Sequence, residues 1–454
     1  MSTPSHTAAL VAGSVAVGAA ATYALLRNRT SSATAVAAVA AAAAAAAPPA
    51  SKCPRGGKVT PEFLEYSVIY TDRAVNLMAP SFQAAMRAIS SSLKHTYSAA
   101  ATVIIPGSGT YGMEAVAACF GTQKKCLVVR NGYFSYRWSD IMNVGKIPLG
   151  RETVMQARPA AGQASEKWPL LEPCPVDEIV ARIQAERPAA VFAPHVETST
   201  GIIVSDEYVR AVADAVHGVG GVLVLDCVAS GTVWIDMEKT GVDVLITAPQ
   251  KGWTGPACCG IVMMSARAVA QMKSNEAHLA AQPVSFCCNL LPWYTVMQQY
   301  ENADGKGPGF KYYTTLPTDA LLVFAKVIED AKAFGLDKAK QKIWALGNRV
   351  RSELAKRGFQ SVAAKHCAAP GVVVVYSPFG GMVGKFKQFG IQVAGGVPWK
   401  LGEETWAGRP TPKQTCFRIG LFGLDKVMNV DHTVDVLMER LDRLIASETG
   451  KSSM

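Results

Sequence analysis

The chain has little cysteine chemistry of the ordered kinds. Its 454 residues include eleven cysteines, yet no C-x-x-C occurs and no Cys/His group has zinc-ligand spacing. That argues against a zinc module and a dithiol redox centre. An odd count, with Cys258-Cys259 and Cys287-Cys288 adjacent, reads as reduced and mostly buried thiols. Charge is also sparse, at 18% of residues. The net charge is +10, but no dense basic stripe interleaves with aromatics, so a nucleic-acid partner is not expected. The first 61 residues have no acid at all. There Arg27, Arg29, Lys52, Arg55 and Lys58 supply half of the net charge, and the rest of the chain is only mildly basic. What the chain does have is apolar residues, 49% of the total, and a length that allows a large core or two domains.

The acid-free start reads as a leader, residues 1–57, outside the fold. It holds an apolar run from Ala8 to Leu26, then Arg27 and Arg29, then an alanine tract closed by Pro48-Pro49. Such a segment suits a mitochondrial or plastid transit peptide, with a disordered extension of no consequence as the plain alternative, and mitochondrial localisation is the expectation. A membrane anchor at 8–26 is the other alternative, although Gly13 and Gly18 weaken it. The terminal Ser452-Ser453-Met454 matches a peroxisomal tripeptide only loosely.

From Lys58 the pattern is α/β. Helical spacing of Phe82, Ala85, Met86, Ile89 and Leu93 predicts a helix over 81–97. A buried strand at 102–105 runs into Pro106-Gly107-Ser108-Gly109-Thr110-Tyr111-Gly112, and a helix follows. A glycine turn at a helix N-terminus is a phosphate cradle. Gly107, Gly109 and Gly112 also satisfy G-x-G-x-x-G, which raises a dinucleotide reading. That reading requires an acid after the next strand. The next strand, 126–129, ends in Arg130-Asn131-Gly132 instead, and only a 2′-phosphate facing Arg130 would rescue it. Tyr133, Phe134, Tyr136 and Trp138 follow and suggest a stacking surface, with core packing as the plain alternative for some of them. After a helix at 176–186, the strand 189–194 ends in His195-Val196-Glu197-Thr198-Ser199-Thr200-Gly201. Polar clusters at strand C-termini are where open α/β sheets place ligands.

The most informative stretch is Gly220 to Gly260. A strand at 222–225 delivers Asp226, and a second at 243–247 leads into Ala-Pro-Gln-Lys-Gly with Lys251. A buried acid at one strand end and a lysine after the next are what pyridoxal 5′-phosphate requires. The acid keeps the pyridine nitrogen protonated, and the lysine forms the Schiff base. Strand-helix alternation over 102–265 predicts a mainly parallel sheet. From about residue 320 the pattern is a smaller α+β unit, with helices at 318–334, 338–357 and 429–446 and strands at 372–376 and 417–419. The domains expected are therefore 58–319 and 320–454.

In the order 107–115, 130–138, 195–201, 225–230, 248–252, 311–317 and 417–423, seven blocks resemble the class-V, fold-type I aminotransferases. Within them the likeness is greatest to the alanine–glyoxylate / serine–pyruvate group. The resemblance implies a seven-stranded-type, mainly parallel sheet in a large domain, plus a small C-terminal α+β domain. It implies ping-pong transfer of an amino group from alanine or serine to glyoxylate or pyruvate. It casts Lys251 and Asp226 as the catalytic pair. Phe134 and Val228 would pack on the two faces of the cofactor ring, with Thr198 near the ring oxygen. Ser108, Gly109, Thr110 and Gln250 would hold the phosphate. Tyr312 and Thr315 would reach that phosphate across a homodimer interface, and Arg418 would bind the substrate carboxylate. The segment 54–73 departs from the family pattern. A 2-aminoethylphosphonate–pyruvate transaminase, with Arg73 or Arg130 on the phosphonate, is one alternative. A lyase or desulfurase is the other, and the latter needs a reactive cysteine such as Cys367 or Cys416.

Overall fold

The computed structural model describes residues 75–282, 284–302, 308–402 and 412–450. The leader at 1–57, the 54–73 segment with Arg73, and Ser452-Ser453-Met454 lie outside them. Among the described residues, no helix is long and apolar enough to cross a membrane.

The first described helix, α1 (Pro80–Tyr97), starts on a proline whose φ is already helical. It buries Phe82, Met86, Ile89, Leu93 and Tyr97, a stripe at three- and four-residue steps, and ends at Ser98 in the left-handed conformation. Next come β1 (Ala101–Pro106), α2 (Gly109–Gly121), β2 (Cys126–Arg130), α3 (Tyr133–Val144) and β3 (Thr153–Gln156). They are followed by α4 (Val176–Glu186), β4 (Ala190–Pro194), α5 (Asp206–Gly218), β5 (Val222–Asp226), β6 (Val244–Thr247) and β7 (Cys259–Met264). Strands β2, β4, β5, β6 and β7 are buried at every residue. That is the mark of a sheet covered on both faces, and it explains their continuous apolar runs.

The seven strands lie in the order β1-β7-β6-β5-β4-β2-β3. The expectation of a mainly parallel sheet holds for β3, β2, β4, β5 and β6. Strand β7, which the sequence pattern does not resolve, runs antiparallel to both β1 and β6. The reason lies in the connector. A parallel return takes a dozen or more residues, usually a helix. The connector from β6 to β7 spans only 248–258 and contains no helix, so the chain turns straight back. It wedges between β6 and β1, and Gly107 N–H donates to Cys258 O (2.9 Å). Gly260 is needed there, because a Cβ would lie 2.6 Å from the Ser108 carbonyl oxygen.

Beyond β7 come α6 (Leu290–Glu301), α7 (Thr318–Phe334) and α8 (Leu336–Lys356). A second sheet follows, from β8 (Val372–Tyr376), β9 (Ala394–Gly395) and β10 (Cys416–Gly420), in the antiparallel order β8-β10-β9. The closing helix α9 (Val430–Thr449) and α8 cover this sheet with Ile343, Leu346, Val350, Leu437 and Leu441, all in one buried cluster with Val373, Val375 and Phe417. Six strands of the large sheet share one direction. Their C-terminal ends therefore present residues 107–110, 131–134, 195–198, 226–228 and 248–251 along one edge.

Candidate active site

A cavity of about 480 Å³ opens at that edge. Ten of the predicted site residues line it: Ser108, Gly109, Thr110, Phe134, Thr198, Asp226, Val228, Gln250, Lys251 and Arg418. Sequence places Arg418 more than 160 residues beyond Lys251. The fold returns it on β10, opposite Val374 and Ala394, where its Nε donates to Gly395 O (2.7 Å). Tyr312 and Thr315 do not line the cavity; both are exposed, Tyr312 by 62%.

The phosphate end is built from β1 and α2. Ser108 is the N-cap of α2, and its side chain makes no capping bond; Tyr111 N–H already donates to Ser108 O (3.0 Å), which leaves the N–H groups of Gly109 and Thr110 and the Ser108 hydroxyl for a ligand. Gly109 is required by proximity. A Cβ there would meet Val228 Cγ2 at 2.8 Å, and Val228 is itself a cavity wall. Gln250 Oε1 is buried without a partner, an orphaned polar atom at the same site. Sequence reasoning does not single out Arg137, yet it lines the cavity and its Nη1 donates to Thr110 Oγ1 (3.0 Å). Its one signal is its place on α3: three residues after Phe134 falls on the same helical face.

Of the four aromatics after Gly132, only Phe134 faces this cavity. Trp138 is fully buried against Phe192 at 4.8 Å, Tyr133 packs edge-on to Phe134, and Tyr136 lines a separate cavity. The stacking surface is therefore one ring. Guanidinium carbons of Arg137 and Arg418 lie 5.5 and 5.6 Å from its centroid. The position of Phe134 is set from behind by Glu197. That fully buried carboxylate accepts from the N–H groups of Phe134 (3.1 Å), Ser135 (2.8 Å) and Ser199 (2.9 Å), and from the hydroxyls of Ser135 and Ser199 (both 2.7 Å). It sits at the N-terminus of α3, where the helix dipole favours negative charge. His195 is structural: Nδ1 is 2.7 Å from Ser230 Oγ, and burial lowers its pKa to about 3, which keeps the ring neutral.

Asp226 ends β5 and accepts from the Val228 N–H (2.9 Å). Burial pushes its carboxyl up to about 6, with the Val228 N–H and Arg137 opposing and Glu197 adding to the rise. Lys251 makes no salt bridge with a described residue; its Nζ lies 5.7 Å from the Phe422 ring. Burial, then the nearby Arg418 charge, lowers its pKa. Burial also lowers that of Arg418, and Glu197 counters this. The Asp226 shift has a measurable consequence. A carboxyl whose folded pKa exceeds its ordinary 3.8 binds more protons folded than unfolded between those values. Its penalty is absent below pH 3.8 and complete above about 6. Asp226→Asn keeps the acceptor for Val228 but removes the charge. The cofactor-free variant should be more stable than the native chain by on the order of 3 kcal/mol at pH 7. The gap should close as pH falls toward 4; urea melts across that range that show a constant gap would refute the shift.

The other predicted candidates fall elsewhere. Arg130 lines the separate cavity with Tyr136, so it is not a phosphonate ligand here and not a partner for a nucleotide on the glycine loop. Arg73 lies outside the described residues. Cys367 and Cys416 are buried thiols, each pushed up to about 12 by burial, and neither supplies the thiolate a desulfurase needs.

The residues present fit pyridoxal 5′-phosphate. They offer the free N–H groups and hydroxyl of a helix N-terminus, with the Gln250 side-chain NH2 as a further donor, for the phosphate, a ring and a valine as walls, a buried carboxylate for the pyridine nitrogen, and an unpaired lysine. Comparison with known proteins agrees. Over 317 residues the chain is 26% identical to alanine–glyoxylate aminotransferase 1 of Saccharomyces cerevisiae, covering 66% of this chain and 74% of the relative. Over 325 residues it is 24% identical to a 2-aminoethylphosphonate–pyruvate transaminase of Lysinibacillus sphaericus, covering 71% and 78%. Its fold superposes on the crystal structure of an alanine–glyoxylate aminotransferase from Nostoc sp. with a TM-score of 0.65, at 22% identity, over 82% of this chain and 89% of that one. A family model for class-V aminotransferases matches residues 45–378, well over half of the sequence. The chain thus belongs to the class-V aminotransferase family, and it is a pyridoxal-phosphate-dependent transaminase.

Proposed function

We propose that the enzyme moves an amino group from alanine or serine to glyoxylate or pyruvate. The observation that carries this reading is Arg418. Its guanidinium lines the cavity, tied by one nitrogen to Gly395 O, and makes no salt bridge with a described residue. A planar fork beside Lys251 suits the α-carboxylate of a small amino acid.

Bound pyridoxal phosphate supplies a conjugated ring that takes up the electron pair released when the substrate Cα–H bond breaks. The protein does the remainder. Arg418 fixes the carboxylate and so the orientation of Cα. Lys251, whose protonation burial and then Arg418 disfavour, removes the Cα proton as a free amine and later gives it back. Asp226 would hold a proton at the pyridine nitrogen. Phe134 and Val228 would wall the ring, and Ser108, Gly109, Thr110 and Gln250 would hold the phosphate. An oxo acid then enters the same cavity and the steps run in reverse, so amino group and oxygen are exchanged between the two acids.

The second reading is a 2-aminoethylphosphonate donor. What favours it is Arg137, a third cation in the cavity. Its bond to Thr110 ties it to the cradle, so the carboxylate reading is preferred. Visible absorbance of the holoenzyme separates the two. L-alanine or L-serine should bleach the cofactor band, and glyoxylate or pyruvate should restore it. Bleaching by 2-aminoethylphosphonate alone selects the second reading, and no bleaching by any of the three overturns both.

The same reading makes the enzyme a homodimer, with Tyr312 and Thr315 of each chain on the partner's phosphate. It takes 58–319 as the cofactor domain and 320–454 as the smaller domain. The acid-free leader at 1–57 is read as a mitochondrial import signal. Native mass and the N-terminal sequence of the mature protein check these assignments.

A further inference from the structure

We propose that a second cavity, on the far side of α3 from Lys251, is a ligand site that takes one small oxyanion, a carboxylate or phosphate group, on Arg130. This cavity has a volume of about 510 Å³ and shares no lining residue with the first. Its wall carries Arg130, Tyr136, Asp140, Lys146, Arg151 and Glu152. None of the five charged side chains among them makes a salt bridge with a described residue.

Arg130 is the floor. It ends β2 and is only 9% exposed. Its Nη2 donates to Ser139 Oγ (2.7 Å), its Nε is buried with no partner, and no described residue accepts from its Nη1. The guanidinium lies 4.7 Å from the centroid of the Tyr136 ring, and Lys400 Nζ lies 5.1 Å from the same ring. A ring held by two cations is well placed but offers neither of them a hydrogen-bond acceptor. Desolvating a guanidinium without a full set of acceptors is costly; Nε is sealed from the cavity, but an oxyanion on the open Nη1 edge would lower that cost. The fork geometry of arginine matches a carboxylate or phosphate edge. The lining has three cations against two acids, which suits one oxyanion group and not a polyanion. Helix α3 joins the two cavities, with Phe134 facing the first and Tyr136, Ser139 and Met142 facing the second.

Two methionines make the test selective. Met142 lines the second cavity and Met113 the first. In holoenzyme carrying ¹³C-methyl methionine, inorganic phosphate and succinate are titrated separately at constant ionic strength. At least one should shift the Met142 signal saturably, with a midpoint distinct from that of any Met113 shift caused by succinate on Arg418. Which of the two does so tells whether the group is phosphate or carboxylate. Arg130→Gln should weaken that binding about tenfold or more. Arg151→Gln, at the exposed rim, should weaken it about two- to fivefold and serves if the buried substitution does not fold. An absent or linear Met142 response to both probes overturns the site. So does an unchanged titration in Arg151→Gln together with either an unchanged one or a misfolded protein for Arg130→Gln.

Discussion

Replacing Lys251 with alanine removes transamination almost entirely, with a fall in the rate of the chemical step of about 10⁴-fold, the upper end for loss of a positioned acid–base group. The substitution deletes a cavity-lining amine whose charge is already disfavoured by burial and by Arg418. Nothing among the described lining residues replaces it. Arg137 and Arg418 are guanidiniums that cannot give up a proton, and Asp226 is committed at the end of β5. Lys251→Arg separates charge from proton transfer. It keeps the cation near Phe422 but not a removable proton, so it too should be inactive. Single-turnover absorbance with L-alanine measures both. A rate within tenfold of the native enzyme in the arginine variant would sink the assignment of Lys251 as the group that moves the Cα proton.

Arg418→Leu should leave the cofactor in place and lose the substrate. Two charge-assisted hydrogen bonds to a carboxylate in a partly buried cavity are worth about 3–4 kcal/mol, so kcat/KM for L-alanine should fall about 10²- to 10³-fold. Most of that should appear in KM, because the carboxylate is bound alike before and during the reaction. Arg418→Lys restores a point charge without the fork and should recover only part of the loss. L-alaninamide, which has no carboxylate, supplies the control. Its slow reaction should be indifferent to either substitution, and an equal loss for both donors would mean that Arg418 acts through the fold of β10 instead.

Much of this site is legible in the sequence, for a physical reason. Asp226 and Lys251 lie at the ends of strands β5 and β6, which pair directly, so period and punctuation alone bring them together. The cradle at 107–110 is equally local, a turn followed by a helix. Arg418 is placed by resemblance and not by pattern, since no local signal connects β10 with β6. The features that the sequence does not disclose share one cause: they depend on which face of an element meets which neighbour. Strand β7 is as apolar as the parallel strands of the sheet, and only the short connector reveals its direction. Strand β3 has no fully buried residue and gives no burial pattern to detect. Arg130 and Arg137 sit seven residues apart, and the turn at Gly132 sends them to different cavities.

The antiparallel insertion of β7 also governs when the site comes into being. Among the described strands, β1 pairs in the large sheet only with β7, Ala101 opposite Met264 and Pro106 opposite Cys259. The phosphate cradle hangs from the end of β1, and the Lys251 connector from the start of β7. Closing so long a loop is entropically slow compared with assembling β2, β4, β5 and β6 through local crossovers. A growing chain is therefore expected to complete most of its sheet with cradle and lysine still apart, and to join them in one late step. Capture of the cofactor, on ribosome-bound chains or in refolding, marks the docking of that last hairpin and not the collapse of the sheet.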